Sequence, residues 1–302
     1  MKALAILDAP SNLGLRPPRP GHIPGVYKLP DALRRQDLVA RLDAYDAGRI
    51  AAPPYSMQRD DASGFRNGQG IRSFSVALAD QVVRLVQQGF LPIVLGGDCS
   101  ILLGNLLALK RLGTYGLMFI DGHADFCYPR APRPDVGFSA AGLDLALATG
   151  HGPDELTNIE GAKPYVREEH VAVLGYWDDP RDAADYATEE LARSKMHLFD
   201  IDQIRRVGPQ QTALAALAQV GSDGCWIHLD ADVLDREWMP AVDSPNDHGL
   251  TYPELIELVG TLMRSQRIAG IEITIFDPEL DPTGQIATTF ADALVTMLAT
   301  SA

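Results

Sequence analysis

The chain has 302 residues, a formal net charge of −14 and a hydrophobic fraction of 46%. That length supports one large core, and no apolar run reaches the length a bilayer span demands. An acidic chain without a Lys/Arg cluster is a poor partner for nucleic acid or an anionic membrane. A small molecule is the expected partner. The three cysteines, Cys99, Cys127 and Cys225, lack zinc-finger spacing. They argue against a disulfide framework and suit a reducing, cytoplasmic compartment.

In chain order, residues 1–8 read as a first strand, too short and too quickly polar for a signal peptide. Residues 16–24, rich in Pro and Gly, read as a surface loop near a site mouth. Residues 73–89 carry Val76, Leu78, Val82, Val83, Leu85 and Val86 in a helical pattern. Residues 91–95 and 115–120 are strand-like apolar runs, and residues 129–137, with three prolines, form a loop. Another short strand is expected over 171–175, an Ala/Leu-rich helix over 209–220, and a strand over 226–229. Residues 239–249 read as a loop. A helix over 252–265 opens at Thr251, with Glu254 placed for a capping box. The last apolar run, 268–275, precedes Phe276-Asp277-Pro278. Strands alternating with helices predict an α/β protein, a three-layer α/β/α arrangement around a mostly parallel central sheet. No internal repeat or linker-like tract divides the chain, so one domain over 1–302 is expected.

Asp121-Gly122-His123-Ala124-Asp125 follows one apolar run, and Asp230-Ala231-Asp232 follows another. Alternate residues of an extended chain share a side, so each set could converge on a point. Carboxylates gathered in one place repel unless a cation sits among them. Oxygen-rich ligands with an imidazole suit Mn²⁺ or a similar divalent ion. The bland reading is that these are strand-end carboxylates capping helices, and a second Asp-x-Asp after a second strand weakens it. In parallel sheets ligands gather beyond the carboxyl ends of strands, where every one of these residues falls.

These motifs resemble those of the ureohydrolase superfamily: arginase, agmatinase, formiminoglutamase and relatives. Gly96-Gly97-Asp98-Cys99-Ser100 resembles its Gly-Gly-Asp-His-Ser, and Asp121-Gly122-His123-Ala124-Asp125 its Asp-Ala-His-x-Asp. Asp230-Ala231-Asp232-Val233-Leu234-Asp235 resembles its Asp-x-Asp-x-x-Asp. Gly249-Leu250-Thr251 with Glu254, and residues 25–34 near the start, also match, so the similarity runs nearly end to end. The resemblance implies an arginase-like fold, two Mn²⁺ ions per chain and a bridging hydroxide that attacks a planar amidino or guanidino carbon. It implies that Asp121 and Asp230 bridge the ions, that Asp125 and position 99 complete one set, and that His123 and Asp232 complete the other. It also implies that Asp125 takes up a proton and steers it to the leaving amine, and that the protein is a homo-oligomer.

The chain departs from that pattern in four places. Cys99 stands where the family has a metal-binding His. A thiolate there would favour Zn²⁺, Fe²⁺ or Ni²⁺ over Mn²⁺, while a buried thiol would merely pack. A similar change marks the hydroxyarginine hydrolase branch, which keeps an N-hydroxyguanidino substrate in view. His228 replaces the usual Ser before Asp230. It could supply the missing imidazole or hold a carboxylate, although a lone His at a strand end is more often structural. Ile275 stands where guanidine-binding members carry Glu, so Asp277 or Glu272 would have to pair with a guanidinium, or the substrate is not plain arginine. Asp277 has a bland alternative in capping the turn before Pro278. Finally, Asp144 falls loosely where the family has a proton-transferring His, with His151 as a loop alternative.

The reading from sequence is therefore a metallohydrolase of a linear C–N bond outside peptides. The alternatives are a single-zinc deacylase of the deacetylase type, lacking here the usual His-His pair, and an inactive metal-binding descendant. A Cys99 nucleophile is disfavoured because the neighbouring Asp98 would raise its pKa.

Overall fold

Eight strands form one sheet, β1 Leu4–Asp8, β2 Tyr45–Arg49, β3 Leu91–Leu95, β4 Gly116–Ile120, β5 Val171–Leu174, β6 His197–Phe199, β7 Cys225–Asp230 and β8 Ile268–Thr274. Their spatial order is β2-β1-β3-β8-β7-β4-β5-β6, and every neighbouring pair runs parallel. The computed structural model describes residues 2–126, 139–177, 188–220 and 223–299. Cys127 and the loop expected over 129–137 lie outside the described residues.

The helices are α1 Leu29–Arg34, α2 Leu38–Arg41, α3 Gly68–Gln87, α4 Leu102–Leu112, α5 Asp144–Ala148 and α6 Asp154–Thr157. They continue with α7 Thr188–Arg193, α8 Ile201–Val207, α9 Pro209–Leu217, α10 Tyr252–Arg264 and α11 Gln285–Leu298. Strand residues alternate between two buried clusters, one on each face of the sheet. Met118, Ile120, Ile227, Leu229, Ile271 and Ile273 join α1, α8, α9, α10 and α11 on the first face. Leu117, Phe119 and Trp226 join α3, α4, α5 and α6 on the second. Burial on both faces explains why the central strands read as continuous apolar runs. The three-layer α/β/α expectation holds.

The helix over 252–265 is α10, and its capping box is present: Thr251 and Glu254 bond each other's backbone amides. No helix among the described residues is long and apolar enough to cross a membrane.

β3, β8, β7 and β4 are adjacent at the middle of the sheet. Each ends at one of the sequence motifs singled out above. The fold thus brings segments far apart in the chain to one crevice, at the carboxyl ends of the strands.

Candidate metal centre

The turns that carry the motifs are held by glycine. A Cβ on Gly97 would lie 1.7 Å from the Ser11 carbonyl oxygen, and one on Gly122 would lie 2.6 Å from that of Asp232. Neither position has room for a side chain. The Gly122 amide also donates to Asp232 Oδ1 at 3.2 Å, tying the two acidic motifs together. Asp98 caps the turn after β3, accepting from the Ser100 amide at 2.9 Å and the Ser11 hydroxyl at 2.6 Å.

The described residues contain overlapping groups whose ligand atoms lie within 4.8 Å of one another. They are Asp121 with His123 and Asp232, Asp121 with His228 and Asp230, and Cys99 with Asp144 and His228. In the first, His123 Nδ1 lies 3.1 Å from Asp232 Oδ2 and 3.6 Å from Asp121 Oδ1. In the others, His228 Nε2 stands 3.8 Å from both Asp121 Oδ2 and Asp144 Oδ2. The Cys99 thiol donates to Asp230 Oδ2 at 2.7 Å.

Two expectations need correcting. The chain leaves the extended conformation after Ile120, so Asp121, His123 and Asp125 are not alternate residues of a strand. Asp121 and His123 still converge because the Asp121 carboxylate accepts from the His123 amide at 2.7 Å and folds the turn back. Asp125 has a left-handed backbone, φ 42°, and joins none of the groups above, although it lies close enough to feel Asp121 and Asp232. Glu272, a candidate partner for a guanidinium, is wholly buried and bonded instead to His228 Nδ1 at 2.6 Å and to Asn105.

The remaining candidates fall as follows. Ile275 has a left-handed backbone, φ 71°, and packs its side chain into the core of the first face. Asp277 accepts from the amides of Gly25 at 3.1 Å and Glu279 at 2.9 Å, as the turn-capping reading required. His151 lies on the surface beside Glu168 at 2.9 Å. Asp144 is fully buried at the start of α5 and faces His228. Reading the sequence missed Asn105, whose signal was a lone amide in the apolar helix Leu-Leu-Gly-Asn-Leu-Leu. It also missed Asp243, which feels Asp232 and Asp277 and whose pKa is pushed up to about 6, chiefly by burial of its carboxyl.

The electrostatics are those of too many carboxylates in one place. Burial, then neighbouring negative charge, pushes Asp230 and Asp125 well above the usual carboxylate range. Burial does the same to Asp144, against the pull of His228. Burial, with Asp230 and Asp144 beside it, raises the Cys99 thiol. Asp121 goes the other way: burial opposes its charge, yet His123 and His228 bring its pKa to about 2. Burial also opposes charge on both imidazoles, and the facing carboxylates still hold their pKa values well above normal.

Asp121 Oδ2, both Asp144 carboxylate oxygens and His228 Nε2 are buried without a hydrogen-bond partner among the described residues. Leaving such groups unpaired costs about 1–3 kcal/mol each. Separations of 3.8 Å exceed hydrogen-bond range but can be bridged by a cation with bonds of about 2 Å to each atom. Carboxylates with imidazoles fit Mn²⁺, and Cys99 adds a softer donor. The residues present fit a divalent metal centre.

A doubly covered parallel sheet, with a carboxylate–imidazole cluster at its central strand ends, defines a class of α/β proteins with a buried site for divalent metal. More specifically, the chain belongs to the arginase family, whose model matches residues 4–300. It is 28% identical to an arginase of Bacillus caldovelox over 297 residues, 95% of each chain. The solved structure of arginase from Bacillus caldovelox superposes with a TM-score of 0.86 at 27% identity, covering 100% of this chain and 99% of that one. A proclavaminate amidino hydrolase of Streptomyces clavuligerus shares the fold, with a TM-score of 0.69 at 19% identity over 99% of this chain and 92% of that one.

Proposed function

We propose that this protein hydrolyses a linear C–N bond in an amidino- or guanidino-type small molecule, with plain arginine not its best substrate. The observation that carries the reading is the set of buried, unpartnered atoms of Asp121, Asp144 and His228 beside the Asp121/His123/Asp232 group. Two divalent ions, Mn²⁺ foremost, would lower the pKa of water enough to supply hydroxide near neutral pH. Asp121 lies near both imidazoles and, with Asp230 beside His228, would be a ligand common to the two ions. His123 and Asp232 would complete one set. Asp144, 3.8 Å from His228, would deliver a proton to the departing amine, and Asp125 would take one up from the attacking water. Apolar packing around the cluster keeps bulk water away and strengthens each of these interactions.

The end of β8 argues against plain arginine. Ile275 stands where guanidine-binding members of the family carry Glu, and its side chain lies in the core. Asp277 is engaged by two backbone amides and Glu272 by His228. A guanidinium would forgo a charge-assisted pair worth about 1.5–3 kcal/mol. Among the described residues, Asp243 is a further acidic group close enough to feel Asp232 and His123. An N-hydroxyguanidine, a weaker base than a guanidine or an amidine, suits this site better than either.

The test is a panel of guanidines, amidines, N-hydroxyguanidines and acylated amines offered to Mn²⁺-loaded protein, with amine and urea release followed. Turnover of an N-hydroxyguanidine at least about tenfold above arginine is the expected result, since about 1.4 kcal/mol is tenfold. Arginine as the best substrate would refute the specificity. Turnover confined to acylated amines would replace the reading with a deacylase.

A further inference from the structure

We propose that His228 supplies the imidazole that position 99 lacks, binding one divalent ion through Nε2 together with Asp121 and Asp230, and that Glu272 and Asn105 position it. The inference rests on the metallohydrolase reading above and names the ligand set of its altered half.

His228 lies on β7 two residues before Asp230, so both point to the second face of the sheet. In the register of the sheet His228 is flanked by Phe119 on β4 and Glu272 on β8. The ring stacks on Phe119, with centroids 4.6 Å apart and planes 9° from parallel. Its Nδ1–H donates to Glu272 Oε1 at 2.6 Å. Asn105 on α4, which packs on the same face, donates its amide to the other Glu272 oxygen. These contacts fix both the plane of the ring and its tautomer. The Nε2 lone pair is then aimed at the crevice, where Asp121 and Asp144 oxygens each stand 3.8 Å away.

A histidine with only a structural role would end there, paired through Nδ1. It would not leave Nε2 wholly buried without a hydrogen bond among the described residues, 3.8 Å from carboxylate oxygens that also lack one. A metal-binding histidine ordinarily has this arrangement: one nitrogen free for the ion, the other donating to a carboxylate that is itself held. His228 is also common to both ligand groups on this side of the site, and Asp121 joins them to the His123 group. The Cys99 thiol, by contrast, is turned to Asp230 and Thr274, at 2.7 and 3.5 Å. It holds a ligand through its S–H, and its sulfur, within 4.8 Å of the Asp144 and His228 ligand atoms, is the rival donor that C99S tests.

The experiment uses the full chain, freed of metal and reloaded with Mn²⁺ or Co²⁺. Metal content and binding isotherms are read for the unaltered protein and for H228N, E272Q and C99S. H228N should lose one ion per chain, E272Q should retain it with affinity weakened about ten- to hundredfold, and C99S should retain it. Because H228N removes a buried ring and could impair folding, the unaltered protein is also read directly. Pulsed electron paramagnetic resonance of the Mn²⁺ form should count two imidazole nitrogens, and the Co²⁺ form should lack a thiolate charge-transfer band. A single imidazole nitrogen, a thiolate band, or loss of the ion in C99S but not H228N would overturn the assignment while leaving the metallohydrolase reading in place. An unaltered protein that binds no divalent ion would remove both.

Discussion

The two halves of the site are built differently. Around His123 the side chains contact one another: His123 meets Asp232 at 3.1 Å, and the Gly122 amide meets the same carboxylate. Around His228 the atoms stand 3.8 Å apart without partners, and the ring is fixed from behind by Glu272. The first half keeps the motif residues that the family resemblance predicts. The second has a thiol at position 99, after β3, and an imidazole on β7, with β8 between the two strands. A cluster can thus keep its donor types while changing which strand delivers them, because the ends of β3, β7 and β8 face one crevice. Local motifs report the first kind of half well and the second kind poorly.

The comparison can be broken most forcefully at Asp121, the carboxylate common to both halves. Asp121→Ala should abolish turnover and release both ions, exceeding the ~10–100-fold that outer partners cost. Elemental analysis together with initial rates checks it, and retention of either ion would show that the halves are independent. Gly122→Ala presses a methyl group against the Asp232 carbonyl, 2.6 Å away. It should misplace the His123 half alone and lower kcat/KM by about a hundredfold, with one ion still bound tightly.

Heating curves sharpen the contrast through pH. The raised pKa values of Asp125, Asp144, Asp230 and both imidazoles mean that the metal-free folded chain holds protons more tightly than the unfolded chain. Their stabilisation is complete below the ordinary carboxylate value and is lost as pH rises through the folded pKa values. Asp121, lowered to about 2, acts in the opposite sense, its contribution present above 3.8 and lost only on acidification towards 2. The chelated protein should therefore have a Tm that falls as pH rises above about 4. Mn²⁺ at a hundredfold over its Kd should restore about 2.7 kcal/mol, or roughly 4 °C for a chain of this length. A Tm of the chelated protein that rises steadily to neutral pH would contradict the charge balance described for the cluster. The smallest effect is expected at a helix cap outside the ligand groups. Thr251→Ala removes the α10 cap and should cost about 1 kcal/mol with no change in metal content, measured by denaturant unfolding.

Most of the fold was legible because the central strands are buried on both faces and therefore spell continuous apolar runs. The expected run over 91–95 coincides with β3, the other central runs come within a residue at their ends, and the first, expected over 1–8, begins at Leu4. The two edge strands were not legible. β2, Tyr-Asp-Ala-Gly-Arg, is largely exposed, and β6 is three residues long. Edge strands bury too little to leave an apolar pattern, and charges on them discourage pairing with other chains. In the site, Asp121, His123, Asp230 and Asp232 were legible from spacing. Asp144 was placed only loosely, and the partnership of His228, Glu272 and Asn105 was not visible. Those residues lie on β7, β8 and α4, and only the register of a closed sheet sets them side by side. Asp125 lies close to Asp121 and Asp232 but outside their ligand group, because strand periodicity does not continue past Ile120, where the chain turns.

The most direct test of the account is the number and identity of metal ions per chain, measured on protein purified without chelator and again after Mn²⁺ loading. Two Mn²⁺ ions per chain are predicted, one for each half of the site. A single tightly held Zn²⁺ that Mn²⁺ cannot supplement, or no ion at all, would contradict it.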